Sequence, residues 1–471
     1  RFGSKLENPS ILHNQIQSPG SFPTSVVSIG SVSFLTHRQK MQRAGLADWQ
    51  IERFAQDFER LQAGGSAFLA ERDLSPMESP PRLADMAAGG WQENLSQTVM
   101  IKLNGGLGTS MGLDIPKGLL PVREGKSFLD LTREQVQNLR LISGGGLPLL
   151  LMNSFHTRGP SLKQLAGFTN PDLPLDFLQS KVPKIRQDNL EPVEYPAHPE
   201  MEWCPPGHGE IYAALKGAGM LEQLLQAGYR YAFVSNIDNL GATLDAALLN
   251  WFSHSGLDFA MEVTLRTEQD KKGGHLARLA TGGLALRERS QCAPEDLPAF
   301  ENIERHRFFN TNNLWLRLEA LREQALPDLP LIVNRKPVDP THPESTPVYQ
   351  LESAMGAAIA CFARTQAVEV PRTRFLPVKT LGDLLLLRSD LYRLDENSRL
   401  GAVSSRPLPQ VKLDSRFYGT YHDFEERFQA IPSLFKCDSL SLKGDIHFRP
   451  GVRLEGTVEL CNPGPEPLLL P

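Results

Sequence analysis

The chain has 471 residues, 41% hydrophobic and 22% charged, the composition of a folded protein long enough for about three units at roughly 150 residues each. Its 49 basic and 54 acidic side chains leave a formal charge of −5, which excludes the broad positive surface that a nucleic-acid partner requires. No apolar run approaches the roughly 20 residues of a bilayer span, so no membrane partner is expected. The five cysteines, Cys204, Cys292, Cys361, Cys437 and Cys461, are odd in number, far apart and without a Cys-x-x-Cys pair. They read as reduced thiols of a cytoplasmic protein rather than a disulfide framework or zinc site.

In chain order, residues 1–40 are rich in Ser, Pro and Asn and lack any sustained period, so a disordered N-terminal extension is expected there. The chain begins with Arg1 rather than Met, which makes Met41 one candidate for the natural start and leaves open whether residues 1–40 belong to the native protein. Ile51, Phe54, Phe58 and Leu61 recur at three- and four-residue intervals, predicting a helix within an N-terminal helical segment, 41–92. From Thr98, short apolar runs alternate with amphipathic stretches, the pattern of βα units around a mostly parallel sheet. Strands are predicted at Thr98–Leu103, Pro148–Met152, Tyr231–Ile237 and Phe259–Val263, and a helix at Asp130–Leu139, within a catalytic domain spanning 93–434. Such sheets bind ligands at the carboxyl ends of their strands. In residues 435–471, Ile446, Val452 and Val458 are spaced by six, as are Leu442, Phe448, Leu454 and Leu460. That hexad predicts a short parallel β-helix, with an ordinary pair of strands as the alternative.

The strand ending at Leu103 is followed by Asn104-Gly105-Gly106-Leu107-Gly108-Thr109-Ser110-Met111-Gly112, then Pro116 and Lys117. So many glycines let backbone N–H groups approach phosphate oxygens, and Lys117 could neutralise a phosphoryl group; the alternative for Lys117 is a solvated surface charge. A Walker loop needs glycine where Leu120 stands, and the dinucleotide fingerprint fails because Gly106, Gly108 and Gly112 are spaced one residue too long. Asp238 closes the apolar run Tyr231–Ile237, which places its carboxylate at a strand's end, where a hard cation is commonly bound; a turn-forming Asp-Asn pair is the rival reading.

The run Lys102 to Gly112 with Pro116-Lys117 resembles the signature loop of eukaryotic-type UTP–glucose-1-phosphate uridylyltransferases. Further blocks resemble that family in its order: Leu151 to Phe155, Pro206 to Gly209, Ser235 to Gly241, Phe309 to Trp315 and Arg374 to Lys379. The resemblance covers about residues 98–385 and continues more weakly to about Leu460. It implies a Rossmann-like, GT-A-like α/β nucleotidyltransferase domain with a short C-terminal left-handed β-helix, acting on UTP and glucose 1-phosphate with Mg²⁺. It further implies that Leu103, Asn104, Gly105 and Gly106 hold the nucleotide, that Gln179 reads uracil beside Gly207, and that His208 reaches the sugar phosphate. Lys117 and Lys379 become the catalytic cations and Asp238 the metal ligand. Asn236, Asn310, Asn312 and Asn313 become candidates for the glucose hydroxyls.

UDP-N-acetylhexosamine pyrophosphorylases and the common bacterial glucose-1-phosphate uridylyltransferases resemble this loop less well. The chain departs from the family at Leu113-Asp114-Ile115, which puts an acid near the phosphate site, and in its short carboxyl-terminal repeat, which leaves the oligomeric state open. A broader UDP-sugar pyrophosphorylase and a catalytically silent UDP-sugar-binding protein are the two competing readings.

Overall fold

The computed structural model describes residues 33–65, 68–108, 111–113, 115–144, 146–404 and 406–470. Residues 1–32, Thr109, Ser110 and Asp114, on which some expectations fall, lie outside the described residues. Two helices come first, α1 (Leu35–Arg43) and α2 (Asp48–Gln62). α2 forms for the reason its periodicity gives: Ile51, Phe54 and Phe58 are buried and pack with Met41, Val182, Ile185 and Leu351. Residues 35–40, expected to be disordered, are instead helical, because α1 starts at Leu35 and buries His37 and Met41 against Phe54 and Phe58.

Ten strands form the main sheet. They are β1 (Leu74–Pro76), β2 (Thr98–Asn104), β3 (Leu149–Asn153), β4 (Asp176–Leu178), β5 (Tyr231–Asn236), β6 (Phe259–Leu265), β7 (His275–Leu279), β8 (Leu284–Arg287), β9 (Phe308–Arg317) and β10 (Thr365–Glu369). The order is β1-β7-β9-β5-β2-β3-β4, with β8 beside β7 and β6 between β9 and β10. The strands β5, β2, β3 and β4 run parallel, as do β6 and β10. β9 runs against β5, β6 and β7, and β7 runs against β1 and β8. The mostly parallel sheet expected from sequence is therefore a mixed one, its parallel sets joined through the antiparallel β9. β1 also brings the 41–92 segment, expected to be helical, into the sheet. The four strands expected from sequence are present within two residues of their anticipated ends.

All seven residues of β2 are buried, because both faces of the sheet are covered. Met100, Leu149, Leu151, Phe233 and Trp315 enter one apolar cluster, with residues of α3 (Phe128–Ser143). Val99, Ile101, Leu150, Met152 and Val234 enter another, with α4 (Ile211–Gly217). Two further helices, α5 (Ala246–His254) and α6 (Leu381–Arg388), cover the first face. α3 extends the expected helix at both ends. It opens on a capping box, in which Ser127 Oγ accepts the Asp130 amide at 3.1 Å and the Asp130 carboxylate accepts the Ser127 amide at 3.0 Å.

At the carboxyl end, β11 (Gln410–Leu413), β12 (Ser433–Lys443) and β14 (Arg453–Cys461) pair in parallel, as do β13 (Ile446–Phe448) and β15 (Leu468–Leu470). Leu440 stands opposite Val458 and Leu442 opposite Leu460, three six-residue steps apart, so the hexad has a structural counterpart. The parallel stack includes Gln410–Leu413 and so starts before the boundary expected at 435. Among the described residues, no helix is long and apolar enough to cross a membrane.

Leu440, Leu442, Ile446 and Phe448 belong to the same cluster as Phe128, Leu131 and Leu384, so these strands share the core of the main sheet. Leu440→Ala is expected to cost about 2–5 kcal/mol. Urea unfolding followed by tryptophan fluorescence and far-UV circular dichroism should show one coincident transition at lower urea. A separate early transition would contradict the shared core.

Candidate active site

Strand register gathers the residues that sequence reasoning singled out. Asn236 is level with Leu103, Asn104 with Asn153, and Asn153 with Leu178, so the chain leaving β5, β2, β3 and β4 shares one edge. β9 runs the other way and brings its amino end there, Val234 pairing with Leu314. The segment after β10 arrives through a bridge between Asn239 and Pro377, and Asn239 Oδ1 accepts the Leu376 amide at 2.9 Å. Lys379 follows two residues later, exposed, just ahead of α6.

The glycine loop folds back on itself. The Lys117 amide donates to the Gly106 carbonyl at 3.1 Å, and Lys117 Nζ meets Asp238 Oδ2 at 2.5 Å. A Cβ on Gly105 would lie 2.3 Å from Gln179 Nε2, so only glycine lets this backbone press against that amide. Gly106 borders open space. Leu103 and Asn104 are buried, and the Asn104 amide donates to Asn153 Oδ1 and Ser161 Oγ, both at 2.8 Å. The side chain of Asn104 is thus turned inward, which leaves the loop backbone as its contribution to the edge.

Gly207, at φ +84, lies against Ser353, whose carbonyl would be 2.6 Å from an added Cβ. His208 Nδ1 accepts the Met355 amide at 3.1 Å, so the ring's remaining proton sits on Nε2. Burial, with the nearby charge of Lys379, pushes His208 down to about 4. His208 is therefore a neutral hydrogen-bond donor at physiological pH.

The asparagines separate into two groups. Asn236 is half-buried at the end of β5. Asn310 Nδ2 donates to Asn312 Oδ1 and the Asn312 amide to Asn310 Oδ1, both at 2.8 Å, where the β6–β9 register shifts and Asn312 takes φ +57. Asn313, expected among the sugar candidates, is withdrawn from that set. It is fully buried, donates to Glu262 Oε2 at 3.0 Å and to the Arg374 carbonyl at 3.2 Å, and accepts from Asn239 at 3.2 Å.

Several residues in contact with the site went unassigned by sequence reasoning. Arg374 forms a bidentate pair with Glu262 at 2.7 Å in both arms, inside the protein, and also donates to the Thr243 carbonyl at 2.9 Å. Lys102, buried, donates to Ser235 Oγ at 2.8 Å and to the Ala242 carbonyl at 2.9 Å; burial, reinforced by the Arg374 charge, pulls its ammonium down to about 7. A lone charge inside an apolar strand run, as at Lys102 and Glu262, was the available signal, since such a group must find partners. Glu288, half-buried, is raised by burial and held back by Lys379, which places these groups near one another; its carboxylate lies where a Cβ on Gly274 would be.

Backbone N–H groups at a glycine turn, lysines from two distant segments and a single carboxylate on the strand-end edge of an α/β sheet are what transfer of a nucleotidyl group between phosphates demands. The fold and site define the class as a nucleotidyltransferase. The family model described as UTP–glucose-1-phosphate uridylyltransferase matches residues 69–455. The protein of that name from Encephalitozoon cuniculi is 40% identical over 373 residues, covering 78% of this chain and 74% of its own length. A probable one from Schizosaccharomyces pombe is 35% identical over 470 residues, 95% of this chain and 92% of its own. Among solved structures, UDP-glucose phosphorylase from Trypanosoma brucei superposes with a TM-score of 0.86 at 44% identity, covering 93% of this chain and 96% of that one. A point mutant of UDP-glucose pyrophosphorylase from Leishmania major in complex with UDP-glucose gives 0.85 at 41%, covering 94% and 97%. The chain belongs to the UTP–glucose-1-phosphate uridylyltransferase family.

A native histidine held near 4 binds its proton later than an unfolded one near 6.5, so His208 lowers stability progressively as pH falls through that window. The His208 Cε1 proton, assigned by comparison with His208→Gln, should keep its neutral chemical shift in NMR spectra down to about pH 5, one unit above that value. A midpoint near 6.5 would show the ring to be solvated and free to charge.

Proposed function

We propose that this chain joins UTP to α-D-glucose 1-phosphate, giving UDP-glucose and pyrophosphate. The observation that carries this reading is the contact of Lys117 with Asp238 at 2.5 Å, Lys117 being tied by its own backbone to Gly106 of the glycine loop. An oxygen of the sugar phosphate bonds to the α-phosphorus of UTP while the bond from that phosphorus to the β-bridging oxygen breaks. Pyrophosphate leaves with the electron pair. A phosphate monoester has its second pKa near 6, so the nucleophile is largely dianionic at neutral pH and no general base is needed. The protein's work is to align two anions and offset their repulsion.

In this reading the backbone of Leu103 to Gly106 and the amide of Gln179, beside Gly207, seat the nucleotide. Lys117 and Lys379 neutralise the phosphates from opposite approaches, and neutral His208 donates Nε2–H to the sugar phosphate. Asn236, Asn310 and Asn312 serve the glucose hydroxyls. Asp238 would hold Mg²⁺, a hard ion that takes one or two protein carboxylates and completes its shell with phosphate oxygens and water. Among the described residues no three His, Cys, Asp or Glu side chains gather as a metal cage, which suits an ion arriving with the nucleotide. When bound, the ion supplies positive charge to the phosphate oxygens. We further read the main sheet as a GT-A-like domain and the parallel carboxyl-terminal strands as a short left-handed β-helix. The five free cysteines support a reducing, cytoplasmic setting.

Pyrophosphate release from UTP, measured with glucose, galactose and pentose 1-phosphates in turn, tests the activity. Turnover with glucose 1-phosphate above the others is expected. Comparable rates with all would make the enzyme a broad UDP-sugar pyrophosphorylase, and UDP-glucose binding without turnover would make it a binding protein.

Lys117→Ala and Lys379→Ala should each lower kcat by about 10²–10³ with unchanged circular dichroism. Undiminished turnover in either variant removes that lysine from the mechanism. Asp238→Asn should raise the Mg²⁺ concentration needed for half-maximal rate, and an unmoved titration curve assigns the ion to other groups.

A further inference from the structure

Away from the loop and the lysines, a chain of hydrogen bonds links three distant segments. The Ser180 hydroxyl donates to Glu210 Oε1 at 2.5 Å, and Gln50 Nε2 donates to Ser180 Oγ at 3.1 Å. Ser180 and Glu210 are 2% and 3% exposed, so solvent cannot replace either partner. The orientation of Gln50 is itself fixed, because its Oε1 accepts the Ala47 amide at 2.9 Å at the start of α2. That leaves its NH₂ group for Ser180.

The positions of these residues give the link its meaning. Ser180 immediately follows Gln179, whose own amide donates to the Asn153 carbonyl at 2.9 Å, and Glu210 closes the turn that carries Gly207 and His208. Helix α4 begins directly after Glu210, and at its far end Gly217 lies against the Trp49 ring of α2, 2.3 Å from where a Cβ would be. α2 therefore braces both the residue after Gln179 and the helix behind His208. The charged groups that face Glu210 are Arg53 and Asp57 of α2, and these two are paired with each other at 3.2 Å. Burial raises the Glu210 carboxyl to about 7, against the Ser180 hydrogen bond and the Arg53 charge, which both pull it down.

Resting on the reading of Gln179 as the uracil contact, we infer that Ser180 and Glu210 are positioning residues. With Gln50 they fix the spacing between the Gln179 and Gly207 elements, so that α2 sets the uridine half of the site. The two segments are also joined further along, where Val182 and Pro183 pair with Cys204 and Trp203 and Lys181 lies over the Trp203 ring, but the Ser180–Glu210 bond is the tie that adjoins Gln179 itself, so losing it lets Gln179 shift relative to the base.

The test measures the dissociation constants of the full chain for UTP and CTP by calorimetry, together with kcat and KM for each substrate. Ser180→Ala and Glu210→Ala should weaken UTP binding about tenfold and narrow the preference for UTP over CTP, while KM for glucose 1-phosphate changes less than twofold. Glu210→Gln retains an acceptor for the Ser180 hydroxyl and should recover most of the affinity. The inference is overturned if Ser180→Ala, the smallest change and the least damaging to folding, leaves the UTP to CTP ratio intact. It is equally overturned if Glu210→Gln is as impaired as Glu210→Ala. Failure of the unaltered protein to bind any uridine nucleotide would instead remove the reading of Gln179 itself, and this inference with it.

Discussion

The buried pair of Glu262 with Arg374 is the constraint on which the rest of the site depends. Glu262 stands in β6 and Arg374 in the segment leading to Lys379, and neither carboxylate nor guanidinium could remain in the interior without the other. Their surplus hydrogen-bonding capacity is taken up by Trp315 Nε1, Asn313 Nδ2 and the Thr243 carbonyl. Every one of those partners belongs to, or holds, the edge where the candidate residues lie. The loop from Asn236 to Thr243, which carries Asp238, is gripped from one side by Arg374 and Asn313 and from the other by Lys102. A close approach of Gly241 to the Thr373 carbonyl seals the same contact. One ion pair thereby fixes the proposed metal ligand relative to the proposed second cation.

Charge is distributed unevenly around this edge, and the distribution suits anionic ligands. The buried basic groups without a carboxylate partner are pulled toward neutrality: His208 is far below its ordinary range and Lys102 sits near 7. Lys379, by contrast, is exposed. Lys117 lies against Asp238. In the mechanism proposed above, that pair can separate when phosphates and a divalent ion arrive, each side chain exchanging a protein partner for a ligand of the same sign. The arrangement keeps both groups satisfied beforehand and places them a hydrogen bond apart.

The segments flanking the main sheet are bound into it rather than appended. β1 adds a strand to the sheet edge, α1 and α2 cover the Val182 to Ile185 region, and the carboxyl-terminal parallel strands draw on the cluster that includes α3 and α6. Such sharing follows from size. Neither two short helices nor a few parallel strands bury enough apolar area to stand alone.

Sequence alone determined the features written in local chemistry. Short apolar runs located β2, β3, β5 and β6, three- and four-residue apolar spacing located α2, an amphipathic stretch located most of α3, and the glycine run after Leu103 marked the turn proposed to face phosphate, because these signals depend on neighbours a few positions away. The hexad near the carboxyl end had the same character. Resemblance to a known family then assembled the scattered blocks in order. What sequence could not decide was set by pairing across long distances. The reversal of β9 made the sheet mixed, and the alternation along it turned Asn313 inward to Glu262 while a bulge left Asn310 and Asn312 bonded to each other. Nor could sequence show that Lys102 would hold the Ala242 carbonyl while Glu262, through Arg374, held the neighbouring Thr243 carbonyl of the same loop. Hydrogen bonds and ion pairs between residues a hundred positions apart leave no periodic trace in the chain. Only the folded structure, by bringing their strands to one edge, decides which polar side chains face a ligand and which are spent on holding the others in place.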